Sequence, residues 1–159
     1  MEIHGIVAML WAEDDMEAEP IMHDATRQPP LSAVEPPRVR ADPRITILLV
    51  EDNDDIRGAL AEWLELEGYH VVTAADGKEG LDRLEEGIEP RAIVLDLMMP
   101  RMDGWTFLER LRADPRHSDL GVIVTSAVAS PEPPEADSCL AKPFELGALR
   151  HALARIVSN

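Results

Sequence analysis

From Ile45 onward the chain alternates between two kinds of segment, and this alternation restricts the fold more than any other feature. Ile45–Val50 is a short apolar run rich in β-branched residues, the composition of a strand buried on both faces. Behind it, Ile56, Leu60, Trp63 and Leu64 fall on one face of a helix, with Asn53 or Asp54 suited to cap its start and Gly68 to close it. The pattern then repeats. A strand is expected over Tyr69–Ala74 and a helix over Gly77–Glu86 with Leu81 and Leu84 inward. Ala92–Leu95 reads as a strand ending at Asp96, and Asp103–Arg112 as a helix with Trp105, Leu108 and Leu111 on one side. A fourth strand at Val122–Thr125, a weak fifth at Cys139–Ala141 and a final helix at Phe144–Val157 complete the series. Buried strands separated by helices require a parallel sheet covered on both sides, an α/β doubly wound fold.

The composition changes near Pro43. Residues 1–43 hold six of the 13 prolines and an acidic run at Glu13-Asp14-Asp15. Proline lacks a backbone donor and fixes φ, which opposes helices and sheet ladders. The expectation is a Pro-rich acidic tail without fixed structure over 1–43, followed by one domain over 44–159. The apolar stretch Gly5–Trp11 is short, with no basic residue ahead of it, and does not read as a signal peptide.

Charge narrows the function classes. Acidic residues number 31 against 15 Lys plus Arg, for a net charge of −16. Nucleic-acid binding needs cations that displace counterions from phosphates, and an anionic membrane surface disfavours the same chain. Neither is expected as a partner. Cys139 is the single cysteine, so no intrachain disulfide forms, which fits a cytoplasmic location.

In open sheets of this kind ligands bind beyond the carboxyl ends of the strands. Those ends carry polar groups here: Glu51-Asp52 after the first strand, Asp96 after the third, Thr125-Ser126 after the fourth and Lys142-Pro143 after the fifth. Each has an ordinary reading taken alone. An acidic pair after a strand caps helices, a serine there is a loop residue, and Lys-Pro is a turn. Asp96 is the exception, because an unpaired carboxylate closing a buried strand is costly. Taken together, Glu51, Asp52 and Asp96 make a pocket for Mg²⁺, a cation of hard oxygen ligands. Asp96 can then act as a nucleophile toward phosphorus, with the Lys142 ammonium and the Ser126 hydroxyl balancing the charge of the product.

These segments resemble the receiver domains of two-component response regulators. The matching stretches are ILLVEDN (47–53), VLDLMMPRMDG (94–104), VIVTSA (122–127) and KPF (142–144), and the resemblance covers roughly residues 45–157. It implies a flavodoxin-like five-stranded sheet of order 2-1-3-4-5. It implies Asp96 as phosphoacceptor, and Glu51, Asp52 and the backbone carbonyl of Met98 as partners of Mg²⁺. Ser126 falls at the switch position, Lys142 at the phosphate-contacting lysine, and the Lys142–Pro143 bond is expected to be cis. The implied donor is a histidine kinase or a histidine phosphotransfer protein.

The sequence departs from the family pattern in two places. Ser126 and Lys142 are only 16 residues apart, and Pro131, Pro133 and Pro134 lie between them. A truncated or irregular fourth helix is therefore expected. Three residues before the lysine, where the family often has Tyr or Phe, stands Cys139, read as a small buried apolar residue. Met98 and Val128, at positions that tune hydrolysis in the family, cannot hydrogen-bond an attacking water, so a long-lived phosphoaspartate is expected.

No domain follows Asn159, so the expectation is a stand-alone switch without enzymatic activity of its own, signalling by protein contact or phosphorelay. The alternative is a receiver-fold scaffold that is not phosphorylated. A small-molecule phosphatase would want a second acid at position 98, where methionine stands. A nucleotide-binding domain would want glycines where Glu51–Asp55 stands.

Overall fold

The computed structural model of the protein describes residues 45–127, 133 and 135–159. The expected tail over 1–43, including Gly5–Trp11, lies outside the described residues, as does Val128. Five strands appear: β1 (Thr46–Val50), β2 (His70–Ala74), β3 (Ala92–Asp96), β4 (Gly121–Ser126) and β5 (Ser138–Ala141). Four helices accompany them: α1 (Asp54–Leu66), α2 (Gly77–Glu85), α3 (Gly104–Ala113) and α4 (Leu146–Val157). All neighbouring strands are parallel, in the order β2-β1-β3-β4-β5. This is the doubly wound, flavodoxin-like fold expected.

The strand residues sort by twos onto the two faces. Leu48, Val50, Ile93, Leu95, Val122 and Val124 pack with Leu84 of α2 and Phe107, Leu108 and Leu111 of α3. Ile47, Leu49, Val94 and Ile123 pack with Leu60, Trp63 and Leu64 of α1 and Leu146, Leu149 and Leu153 of α4. The second layer is tied at its rim, where Arg150 donates twice to the Glu67 carboxylate at 2.8 Å and lies 5.8 Å from the Trp63 ring centroid.

Local signals fix the helix ends. Asn53 caps α1 by accepting from the N–H groups of Asp55 and Ile56, both at 3.0 Å, an arrangement worth about 1 kcal/mol. At the other end Gly68 has φ 101°, and the N–H groups of Gly68 and Tyr69 return to the carbonyls of Glu65 and Leu64. That left-handed closure suits glycine, which has no Cβ to oppose a positive φ.

Two expectations need correction. Trp105 does not join the inward face of α3, being 36 % exposed, while Phe107 is fully buried. The inward arc is set by Gly104, Phe107, Leu108 and Leu111, and Trp105 lies roughly 100° round the helix from its centre. Phe144 does not begin the last helix, which starts at Leu146 behind the N-cap Glu145; Phe144 packs instead against the α1–α4 layer.

Among the described residues between β4 and β5 there is no helix. The end of that connection is anchored by Arg112 of α3. Its guanidinium donates to the carbonyls of Ser118 (2.8 Å), Leu120 (2.7 Å) and Glu135 (2.6 Å). Asp137, 3.4 Å from the same guanidinium, accepts from the Val122 N–H at 2.8 Å, which sets the start of β5 beside β4. Cys139 is half-buried against the α2–α3 layer rather than fully enclosed.

Candidate functional site

The carboxyl ends of β1, β3, β4 and β5 meet at one edge of the sheet. Leu97 N–H donates to the Thr125 carbonyl at 3.0 Å, and Lys142 N–H to the Ser126 carbonyl at 2.8 Å, so the last three strands stay paired beyond their regular ladders. Glu51, Asp52 and Asp96 each present a carboxylate oxygen, all within 4.8 Å of one another. Glu51 and Asp96 are buried, at 2 % and 4 % exposure, and Asp52 is more open. Lys142 Nζ lies 2.8 Å from Glu51 Oε2 and 3.4 Å from Asp96 Oδ2. Ser126 is buried at the end of β4, one residue past Thr125, the register partner of Asp96. The Lys142–Pro143 peptide bond is cis.

The loop after β3 folds back on the acid that precedes it. Met98 N–H donates to Asp96 Oδ1 at 3.1 Å, while its side chain is 53 % exposed. Gly104 N–H returns to the Leu97 carbonyl at 3.0 Å. A side chain at position 104 would put its Cβ 2.7 Å from both the Asp96 carbonyl oxygen and the Leu97 Cα, so glycine is required by the close approach. Across the loop, Arg101 pairs with the buried Asp76, the N-cap of α2, at 2.5 Å.

The Lys142 ammonium lies beside two of the three carboxylates, and burial outweighs its pull on both. Burial pushes the Glu51 carboxyl up to about 7; Lys142 opposes that shift and the Asp96 charge adds to it. Asp96 is also raised, first by burial, with Lys142 and the Met98 N–H pulling it back and Asp52 pushing it up. Buried acids held above their ordinary range are poised to exchange protons for a hard cation. The donor set and its spacing fit a divalent ion.

All six residues singled out from sequence thus lie at one edge of the sheet. The sequence reading missed the group behind the β1–α1 turn. Arg57 Nη1 donates to the Glu51 carbonyl at 2.9 Å and lies 3.5 Å from that of Asp52, and its other terminal nitrogen pairs with Asp54. Its position four residues after the helix cap was the available signal.

The family described as the response regulator receiver domain matches residues 47–154. The transcriptional regulator RpaA of Synechocystis is 35 % identical over 116 residues, which are 69 % of this chain and 46 % of that protein. The transcriptional regulatory protein PrrA of Mycobacterium tuberculosis is 39 % identical over 109 residues, 65 % of this chain and 46 % of that protein. The chain therefore spans about half the length of these curated relatives. Among solved structures, chemotaxis protein CheY4 of Vibrio cholerae matches with a TM-score of 0.65 and 30 % identity, over 70 % of this chain and 98 % of that one. The receiver domain of sensor histidine kinase PA1611 from Pseudomonas aeruginosa, with magnesium in its active-site cleft, matches with a TM-score of 0.65 and 30 % identity, over 72 % and 98 %. With the strand order and the converging acids, these similarities make the chain a member of the response regulator receiver domain family of two-component systems.

Proposed function

We propose that residues 44–159 form a receiver that takes a phosphoryl group onto Asp96 from the phosphohistidine of a histidine kinase or histidine phosphotransfer protein. It then signals by protein contact or by onward transfer, within the cytoplasm. The observation that supports this reading is the setting of Asp96: a buried carboxylate at a strand end, grouped with Glu51 and Asp52 and 3.4 Å from Lys142 Nζ.

In the transfer, a carboxylate oxygen of Asp96 forms the new O–P bond while the P–N bond of the donor breaks, its electron pair leaving with the imidazole. Lys142 supplies positive charge to the phosphoryl oxygens, and Ser126 supplies a hydroxyl donor at the end of β4. The Met98 N–H holds the other carboxylate oxygen. Glu51, Asp52, Asp96 and the Met98 carbonyl are the groups assigned to Mg²⁺, which when bound offsets negative charge on the phosphoryl group. Two solved relatives support that assignment: the Pseudomonas receiver with magnesium, and response regulator TrrA of Thermotoga maritima in complex with Mg²⁺ and BeF, 28 % identical with a TM-score of 0.64.

Incubation with Mg²⁺ and acetyl phosphate, followed by intact-mass measurement, tests the reading. A phosphoryl-sized gain that disappears in Asp96→Ala is expected. No gain under conditions that label other receivers would favour the scaffold alternative.

A further inference from the structure

Two of the three clustered carboxylates project from the short turn joining β1 to α1, and the charge on that turn opposes its own geometry. Glu51 and Asp52 must turn their side chains toward Asp96, against the repulsion of like charges. Asn53 contributes one restraint, its N–H donating to Glu51 Oε1 at 3.2 Å. The other comes from Arg57. It stands one helical turn past the Asn53 cap, and its side chain runs back over the preceding turn. Nη1 donates to the Glu51 carbonyl at 2.9 Å and lies 3.5 Å from the Asp52 carbonyl. The other arm of the fork pairs with Asp54, and the side chain is only 20 % exposed.

A guanidinium can grip backbone carbonyls with one arm and a carboxylate with the other, because its donors are coplanar and fixed relative to one another. A lysine in the same place is a point charge on a flexible stem. The carbonyl contacts fall on the two residues that donate cation-binding carboxylates, whereas the Asp54 contact lies on the solvent side, with that carboxylate 86 % exposed, and adds little to the hold.

We infer that Arg57 is a positioning residue for the divalent-cation site: by gripping the Glu51 and Asp52 carbonyls it fixes the turn from which both carboxylates reach toward Asp96. The inference rests on the reading of that cluster as the cation site of a phosphoacceptor. Residues that orient metal ligands from behind typically change metal affinity by about 10–100-fold when removed. A residue that only staples the start of a helix would change stability and leave cation affinity alone.

The test is a titration with MgCl₂ alone, followed by the amide NMR shifts of Asp52 and Met98, in the wild type, Arg57→Ala, Arg57→Lys and Asp54→Ala. Thermal unfolding of each is recorded in EDTA. Arg57→Ala is expected to weaken Mg²⁺ binding by about tenfold. Arg57→Lys, which keeps the charge and loses the fork, should fall with alanine, and it carries the test if the alanine variant does not fold. Asp54→Ala, which removes only an exposed partner, should stay within about twofold of wild type. Arginine variants that bind Mg²⁺ like the wild type, whatever their unfolding temperature, would overturn the inference and leave the site reading intact. A wild type that binds no Mg²⁺ would remove the site reading and the inference with it.

Discussion

Lys142 Nζ sits closer to Glu51 than to Asp96, at 2.8 Å against 3.4 Å. The ammonium is thus held mainly by the most deeply buried acid of the cluster and borders the proposed acceptor from the side. Truncating it leaves that acid buried without its cation and takes a charged donor from the phosphoryl oxygens. A charge-assisted hydrogen bond contributes about 1.5–3 kcal/mol. Lys142→Ala should therefore slow acetyl phosphate labelling of Asp96 by roughly 10–100-fold, read from a time course of intact mass.

Glu51 gives the metal-free protein a pH dependence of definite sign. Its folded carboxyl titrates near 7, above the ordinary value of 4.5, because burial disfavours the charge. The folded state therefore holds a proton that the unfolded chain has already lost. Its contribution to stability is full below about 4.5, declines as pH rises and is gone above about 7. Urea unfolding in EDTA at pH 5, 6, 7 and 8 should show the wild type losing stability relative to Glu51→Gln across that window. Mg²⁺ affinity should run the opposite way, rising toward pH 7 and then levelling. A wild-type-minus-variant difference that stays flat with pH would contradict the assignment.

Gly104→Ala should damage both the fold and the site. The added methyl meets the Asp96 carbonyl oxygen and the Leu97 Cα at 2.7 Å, and both are backbone atoms that cannot move aside cheaply. Overpacking of this kind costs about 1–3 kcal/mol. Because the strained segment carries Asp96, slower labelling should accompany the lower urea midpoint.

The tie between Arg150 and Glu67 joins α4 to the end of α1. Its geometry is bidentate, but Arg150 is 42 % exposed, so its contribution should be about 1 kcal/mol rather than that of a buried pair. A double-mutant cycle with Arg150→Ala and Glu67→Ala should return a coupling of that size, without changing Asp96 labelling.

Much of the fold and the site could be read directly from sequence because buried parallel strands leave little room for polar residues except at their ends. Glu51, Asp96, Ser126 and Lys142 each break an apolar strand or follow one, and topology brings such ends together. Caps and closures, such as Asn53 and Gly68, were readable for a similar reason: they depend on local backbone chemistry. Helix faces were less so. Trp105 carries the largest side chain on α3, yet the buried arc is centred elsewhere, and only packing against the sheet decides which apolar residue turns outward. Arg57 was harder to single out because its contacts with the β1–α1 turn go to main-chain carbonyls, which have no signature in the amino-acid letters, and only its place four residues after the helix cap pointed to it. The anchoring of the β4–β5 connection by Arg112 was hidden in the same way.

That anchoring has a consequence for how the chain closes on itself. A connection of few residues loses less freedom when its ends are brought together, with each halving of loop length saving about 0.6 kcal/mol. A short link therefore lowers the entropic cost of bringing β5 to the sheet. Arg112 works in the same direction, since its bonds to the carbonyls of Leu120 and Glu135 pin the two flanks of β4 and its following link to a single helix. The edge strand β5 is thereby held from two sides, by its ladder with β4 and, through the Glu135 carbonyl ahead of it, by a side chain of α3.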